Sequence, residues 1–320
     1  MPRDGPDLKS GAHDEAGAEA RSAEHYRLPS RLLWLLAGMT LGWGISWPVM
    51  KIVLGELAPL RFRALTLLSG LGLLGLAALK RQSLRVPRGQ WTRLIGVSLF
   101  NITGWGILAM YGLQLMSSGR AVIITYTMPV WAVLLGALLA GERITRRRLL
   151  GVVLGMAGML LLVSGEFQAL QRAPLGAFYL ILAAISWAIA TVMLRHWPVA
   201  LPAAAVTGWQ IVIGTVPIWI ATLLIDHGPW LPSTPGAWLA LAFNLGITSI
   251  FCLWAFTRIA TEAPVAVSSL STLMIPVVGV LSGMALLGER PQWQDLAALA
   301  FVFAALATVL LPGRPPRRRT

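Results

Sequence analysis

The sequence predicts an all-α membrane protein of ten transmembrane helices, arranged as two inverted five-helix repeats. Three observations carry that expectation: a composition too apolar for a water-soluble domain, ten span-length apolar runs, and a stretch of the first half that returns in the second at constant spacing. Of the 320 residues, 56% are hydrophobic and 12% charged, against about a quarter charged in ordinary soluble domains. Mean hydropathy is +0.71. A formal net charge of +13 would point to nucleic acid in a soluble protein. Here the basic residues sit in short breaks between apolar runs, where they act as orientation signals, so the expected partners are the lipid bilayer and a small-molecule substrate, and no nucleic acid. Cys252 is the single cysteine, which leaves no disulfide framework and no cysteine metal cluster; no cofactor or metal is expected.

Residues 1–30 mix Asp4, Asp7, Asp14, Glu15, Glu19 and Glu24 with Arg3, Lys9, Arg21 and Arg27 and show no apolar period, which reads as a disordered cytoplasmic tail. The mixed charge, and a first apolar run of span length with no small-residue cleavage site after it, argue against a signal peptide. The runs 31–52, 57–79, 91–114, 119–140 and 147–165 make a first repeat over 31–165. Those at 174–195, 202–225, 237–259, 263–287 and 293–311 make a second over 174–312, and a basic tail closes the chain at 313–320. After the first tail, about 290 residues accommodate ten spans of roughly 20 residues with short loops. Breaks such as Lys80-Arg81-Gln82-Ser83, Arg146-Arg147-Arg148 and His227-Gly228-Pro229 are turn-rich or basic, as interhelical loops are. With the N-terminus inside, 20 of the 26 Lys and Arg residues fall on the inner side, which places both termini in the cytoplasm.

The repeat is read from Thr125, Pro129 and Gly141-Glu142-Arg143, which return as Thr272, Pro276 and Gly288-Glu289-Arg290, 147 residues on; Trp91/Trp238, Gly136/Gly283 and Leu149/Leu296 keep the same spacing. A long-period duplication in so apolar a chain points to a transporter built of two halves around a central site. Five helices per half is odd, so the second copy crosses the membrane in the opposite sense. A fainter echo pairs Trp43 and Lys51 with Trp187 and Arg195 at a spacing of 144.

Ala121, Thr125, Pro129, Ala132 and Gly136 share one face of the fourth helix, and Ser268, Thr272, Pro276, Gly279 and Gly283 the equivalent face of the ninth. Each mid-span proline frees a carbonyl that must find protein or water. One reading is a kinked pair lining a polar cavity, with Thr125 and Thr272, and their neighbours Tyr126 and Ser269, on the substrate pathway. The other is close packing through small residues, favoured for Gly136 and Gly283. The polar residues away from span ends, Ser46, Asn101, Thr191, Gln210, Asn244 and Thr248, should face the bundle or a wet cavity; Asn101 and Thr248 are again 147 apart. Trp43, Trp47, Trp105, Trp187 and Trp254 lie deep enough to stack on a ligand, whereas Trp34, Trp91, Trp197, Trp230, Trp238 and Trp293 read as interface anchors. The carboxylates outside the tail all fall near span ends, so no mid-membrane proton relay is visible. Lys51, Arg61 and Arg63 either attract anions at a cavity mouth or, the favoured reading, snorkel to headgroups. Glu142 and Glu289, each after a glycine, read as turn devices.

With Trp43-Gly44 and Lys51 in the first helix, Arg61-Phe62 opening the second, and a small-residue run, proline and Gly-Glu-Arg stop in the fourth and ninth, the chain resembles the EamA family of the drug/metabolite transporter superfamily over nearly its whole length beyond the tail. Ala298, where the first copy has Gly151, departs from the pattern. The resemblance implies ten helices in inverted repeats, a central cavity, and export or exchange of amino acids, related metabolites or drugs. The expected function is a secondary transporter of small metabolites in the bacterial inner membrane, an exporter working by alternating access, with an uptake permease or facilitated exchanger as the alternative. An enzyme is not expected, because no mid-span carboxylate pair or nucleophile with histidine exists. A non-transporting membrane interaction protein is the alternative from another class.

Overall fold

The computed structural model describes residues 30–142, 144–167, 173–255 and 265–310. The tail before residue 30, the basic tail at 313–320 and Arg143 lie outside them, as do the side chains of Ser268, Ser269 and Thr272. Among the described residues every regular element is helical.

In the first half, α1 spans Ser30–Leu54. The second segment is α2, Pro59–Leu65, followed almost without a break by α3, Leu67–Leu79. The third joins α4, Trp91–Ser98, to α5, Trp105–Leu115, through a π-helical stretch at Leu99–Gly104. The fourth is α6, Ser118–Thr125, and α7, Met128–Ala140; the fifth is α8, Arg146–Phe167. In the second half follow α9, Ala173–His196, α10, Ala203–Ile225, and α11, Pro235–Phe243, which runs into a second π-helical stretch at Asn244–Phe251. The last two are α12, Val265–Leu287, and α13, Trp293–Leu310. The two π-helical stretches fall at corresponding points of the 147-residue spacing, since Leu99 and Gly104 map to 246 and 251. Extra-residue turns of this kind are frequent at functional sites.

Seven helical segments among the described residues are long and apolar enough to cross a membrane: Leu33–Leu54, Pro59–Leu79, Trp91–Leu115, Ser118–Leu139, Leu175–His196, Ala203–Ile225 and Pro235–Ala255. Met274–Leu287 and Trp293–Thr308 are shorter apolar helices.

The helix stops follow local chemistry. Gly141 and Gly288 both take a left-handed conformation, with φ of +68° and +65°, which glycine adopts without a Cβ penalty and which ends α7 and α12. The mid-span kink expected at Pro129 is corrected. The fourth segment breaks at Tyr126–Thr127, and Pro129 sits in the first turn of α7, where its missing N–H has no intrahelical acceptor to lose. The Thr127 hydroxyl holds the break, donating to Ile124 O at 2.6 Å and accepting from Trp131 Nε1 at 3.2 Å. Pro276, its counterpart, lies buried inside the uninterrupted α12.

The main core joins α1, α2, α5, α6, α9 and α12 through Trp47, Phe62, Met110, Ile123, Leu180 and Ile275. The principal pairings run α1 along α12, α9 along α5 and α7, α10 along α3, and α8 along α13. Glycines at these crossings let the backbones approach: a Cβ on Gly44 of α1 would lie 2.4 Å from Val278 of α12, and one on Gly112 of α5 2.6 Å from Leu180 of α9. When the halves are exchanged, α1–α12 maps onto α9–α7, while α8–α13 and α3–α10 map onto themselves.

Candidate functional site

At the end of the bundle where α1 finishes and α6 begins lies a cavity of about 690 Å³, with Lys51, Gln114, Arg120, Glu289, Arg290 and Asp295 in its wall. The left-handed turn at Gly288 throws Glu289 across the N-terminus of α6, where unpaired backbone N–H groups favour a carboxylate. Ser118 N donates to Oε1 at 2.7 Å; Ser118 Oγ and Gly119 N donate to Oε2 at 2.9 and 3.0 Å. Lys51 Nζ stands 3.9 Å from the same carboxylate and donates to Met116 O. Beside them Arg120 Nε pairs with Asp295 Oδ1 at 2.6 Å, and Arg120 Nη2 donates to Gln292 Oε1 at 2.9 Å.

At the other end Glu142 follows the equivalent turn. It meets His196 Nε2 at 2.9 Å, Arg148 Nη1 at 3.0 Å and Arg195 Nη1 at 3.6 Å. The hydrogen bond with His196 is the largest influence holding the Glu142 carboxyl below its ordinary value; Arg195 and Arg148 act in the same direction and partial burial opposes them. Lys51 and Arg195, the pair 144 residues apart, thus meet Glu289 and Glu142, the pair 147 apart, each across the two halves. Gly283 and Gly136 make room for these carboxylates: a Cβ would lie 2.6 Å from Glu289 Oε2 in one case and 3.3 Å from Glu142 Cδ in the other. Both glutamates therefore do more than mark a turn.

The loop after α1 is tied to the loop before α11 on the Lys51 side. Glu56 accepts from Ser233 N at 2.6 Å, Ser233 Oγ at 3.0 Å, Thr234 N at 3.2 Å and the Thr234 hydroxyl. These bonds, the Thr234 hydroxyl first, draw its carboxyl down to about 2.

The interior brings some sequence-selected residues together. Trp43 Nε1 donates to Thr248 O at 3.2 Å, and Ser46 Oγ donates to Trp43 O at 2.7 Å. Trp105 and Trp187 meet edge to face with centroids 5.3 Å apart. Trp47 is packed in the main core, Asn101 is partly buried in the first π-helical stretch, and Gln210 is buried in α10. The side-chain oxygen of Thr248 is buried with no partner. Others turn inward on their own helix: Thr125, fully buried, donates to Ala121 O at 2.8 Å; Asn244 donates to Ala240 O at 2.9 Å; and the exposed Thr191 donates to Trp187 O at 2.9 Å. Such bonds to the i−4 carbonyl satisfy the hydroxyl or amide locally. Tyr126 is buried in the core and Trp254 is exposed against Phe251.

The snorkelling expected of Arg61 and Arg63 is corrected, as both are buried. Arg61 Nη2 donates to Asp226 O at 3.0 Å and its guanidinium covers Trp230 at 5.0 Å. Trp230 itself stacks on Trp219 rather than standing free as an interface anchor. Arg63 turns to Trp105, 5.3 Å from its ring centroid. Residues two apart on a helix point to nearly opposite sides, so the two arginines meet different partners.

Comparison with known proteins agrees with this architecture. The model of the EamA-like transporter family matches twice, at residues 30–164 and 174–311. A Bacillus subtilis relative named "Uncharacterized transporter YoaV" is 24% identical over 261 residues, covering 80% of this chain and 88% of that protein. An Escherichia coli K12 relative named "Uncharacterized inner membrane transporter YedA" is 27% identical, covering 89% of this chain and 94% of that one. A Salmonella typhimurium relative named "Probable amino-acid metabolite efflux pump" is 26% identical over 282 residues, covering 82% and 89%. A crystal structure described only as that of a protein superposes with a TM-score of 0.63 at 20% identity, covering 88% of this chain and 96% of that one; at this identity the likeness concerns the fold alone. Two family matches that together take in most of the chain, on an all-helical apolar frame, make this multi-pass membrane protein a member of the EamA-like transporter family.

Proposed function

We propose that the chain is a secondary transporter that exports small metabolites, amino acids or related compounds, across the inner membrane by alternating access. Its ten spans form two inverted repeats, with both termini in the cytoplasm. The observation that carries this reading is the pair of glutamate contacts at opposite ends of the bundle, Glu289 with Lys51 and Glu142 with Arg195 and His196. Both join one half to the other, so a rocking of the halves loosens one while the other holds. The exchange-invariant helix pairings support the inverted repeat, and the excess of Lys and Arg in the segments counted as inner supports the orientation. The relative named as an amino-acid metabolite efflux pump supports the substrate class and the direction.

Trp43, Ser46, Trp47, Asn101, Trp105, Trp187, Gln210 and Thr248 form the better part of the proposed substrate pathway. Thr125, Tyr126, Pro129, Thr191, Asn244, Trp254, Ser268, Ser269, Thr272 and Pro276 remain assigned to it on the repeat and span position alone.

The test is reconstitution. Proteoliposomes loaded with a bacterial metabolite extract are compared with protein-free liposomes, and the outside solution is profiled by mass spectrometry. Release of one chemical class only with protein supports transport. Identical profiles, with extract supplied from either side, refute it.

A further inference from the structure

We propose that Arg63 and Trp105 form a binding site for the carboxylate of the transported molecule. Arg63 is nine-tenths buried, on a segment that crosses the membrane, and among the described residues it has no carboxylate within ion-pair distance. Lys51 faces Glu289 and donates to Met116 O; Arg61 donates through Nη2 to the backbone carbonyl of Asp226 and covers Trp230, with its Nε and Nη1 also buried without a partner. Arg63 Nε is buried without a hydrogen-bond partner. Its Nη atoms make no hydrogen bond among the described residues either, yet they are not sealed like Nε and keep the small surface the residue has left.

The surroundings hold this cation in place instead of neutralising it. The guanidinium lies over the Trp105 ring at 5.3 Å, a contact that compensates only part of the lost hydration. A Cβ on Gly106 would stand 2.9 Å from Arg63 Nε and 3.3 Å from Nη2, so the absence of a side chain at Gly106 is what admits the guanidinium. Trp105 is fixed in turn by Trp187, edge to face. Its own Nε1 is also buried with no acceptor.

The site therefore offers the Nη N–H groups of a guanidinium, and the indole N–H of the ring it covers is a second donor, buried and unpaired. A complementary ligand group is an anionic acceptor. One guanidinium matches a single negative charge, and its planar fork suits a planar carboxylate taken bidentately. The Trp105–Trp187 pair offers ring surface to the organic remainder. A buried ion on a spanning segment is costly unless paired, and a carboxylate arriving with substrate supplies the pair.

This inference rests on the transport reading, and the experiment separates the two. Detergent-purified wild type, Arg63→Gln, Arg63→Lys and Trp105→Phe are heated with matched acids and amides: 3-phenylpropionate against 3-phenylpropionamide, benzoate against benzamide, and sodium chloride at equal ionic strength. The same acids and amides are loaded into proteoliposomes. The wild type should be stabilised by, and should release, acids over amides. Arg63→Gln should lose at least about tenfold in apparent acid affinity, the loss of one charge-assisted contact. Arg63→Lys should retain part of it, with an unliganded Tm close to wild type as the folding control. Trp105→Phe, which keeps the ring and loses the N–H, should be intermediate. Wild type that favours neither acid nor amide, or Arg63→Gln that favours acids as wild type does, overturns the site while leaving transport standing. Equal stabilisation by chloride overturns the carboxylate assignment. Acid-selective stabilisation through Arg63 with no release from liposomes keeps the site and removes the transport reading.

Discussion

Glu289→Gln is expected to open the Lys51 end of the bundle. In the wild type one carboxylate accepts three hydrogen bonds from Ser118 and Gly119 and stands 3.9 Å from Lys51. The amide keeps a single acceptor oxygen, so at least one charge-assisted bond is lost, worth about 1.5–3 kcal/mol, and those that remain weaken toward neutral strength. The Lys51 pair adds little, because that side chain is 30% exposed and solvent-screened pairs contribute about 0–1 kcal/mol. The closed arrangement should thus lose about 2–3 kcal/mol, which raises the open fraction about 30- to 150-fold. The assay is labelling of Thr125→Cys by a membrane-impermeant maleimide in a Cys252→Ala background. Thr125 is fully buried and lies seven residues along the helix from Ser118, about 10 Å at 1.5 Å per residue. Glu142→Gln, which disturbs the opposite end, should leave labelling from the Lys51 side unchanged or slower. A labelling rate within about threefold of the parent, in monodisperse Glu289→Gln protein, would refute the assignment of Glu289 as the clasp.

Two further expectations concern stability. The Glu56 carboxyl, lowered from 4.5 to about 2, contributes stability that is fully present above pH 4.5 and lost as pH falls toward 2; Glu56→Gln should lower the Tm at pH 7, with the gap to wild type closing across that window, and a gap that stays constant would contradict the staple to Ser233 and Thr234. Gly44→Ala places a Cβ 2.4 Å from Val278 and should cost about 1–3 kcal/mol by overpacking; Val278→Ala in the same chain should restore part of the Tm, and no recovery would mean that the α1–α12 contact is not the source.

What could be read from the sequence was what is locally encoded. Glycine before Glu142 and Glu289 announced the helix stops because only glycine takes the left-handed turn freely, and the 147-residue spacing announced the duplication. The partners of those glutamates were not legible, since Ser118 and Glu289 are 171 residues apart and nothing along the chain relates them. Pro129 misled because a proline in the first turn of a new helix and a proline inside an old one look alike in an uninterrupted apolar run. Arg61 and Arg63 were assigned to headgroups because a long cationic side chain near a span end is most often found there. Only packing against Asp226, Trp230 and Trp105 decides otherwise.

The clasp on α6 has a consequence for biogenesis. The amides of Ser118 and Gly119 belong to the first half, whereas the carboxylate that satisfies them comes from the turn after α12. Until the ribosome has passed residue 289, the start of α6 has no acidic cap and Lys51 no counter-ion, however well the first five segments have inserted. The N-terminal half is therefore an intermediate with an unfinished surface, and its completion awaits the second half.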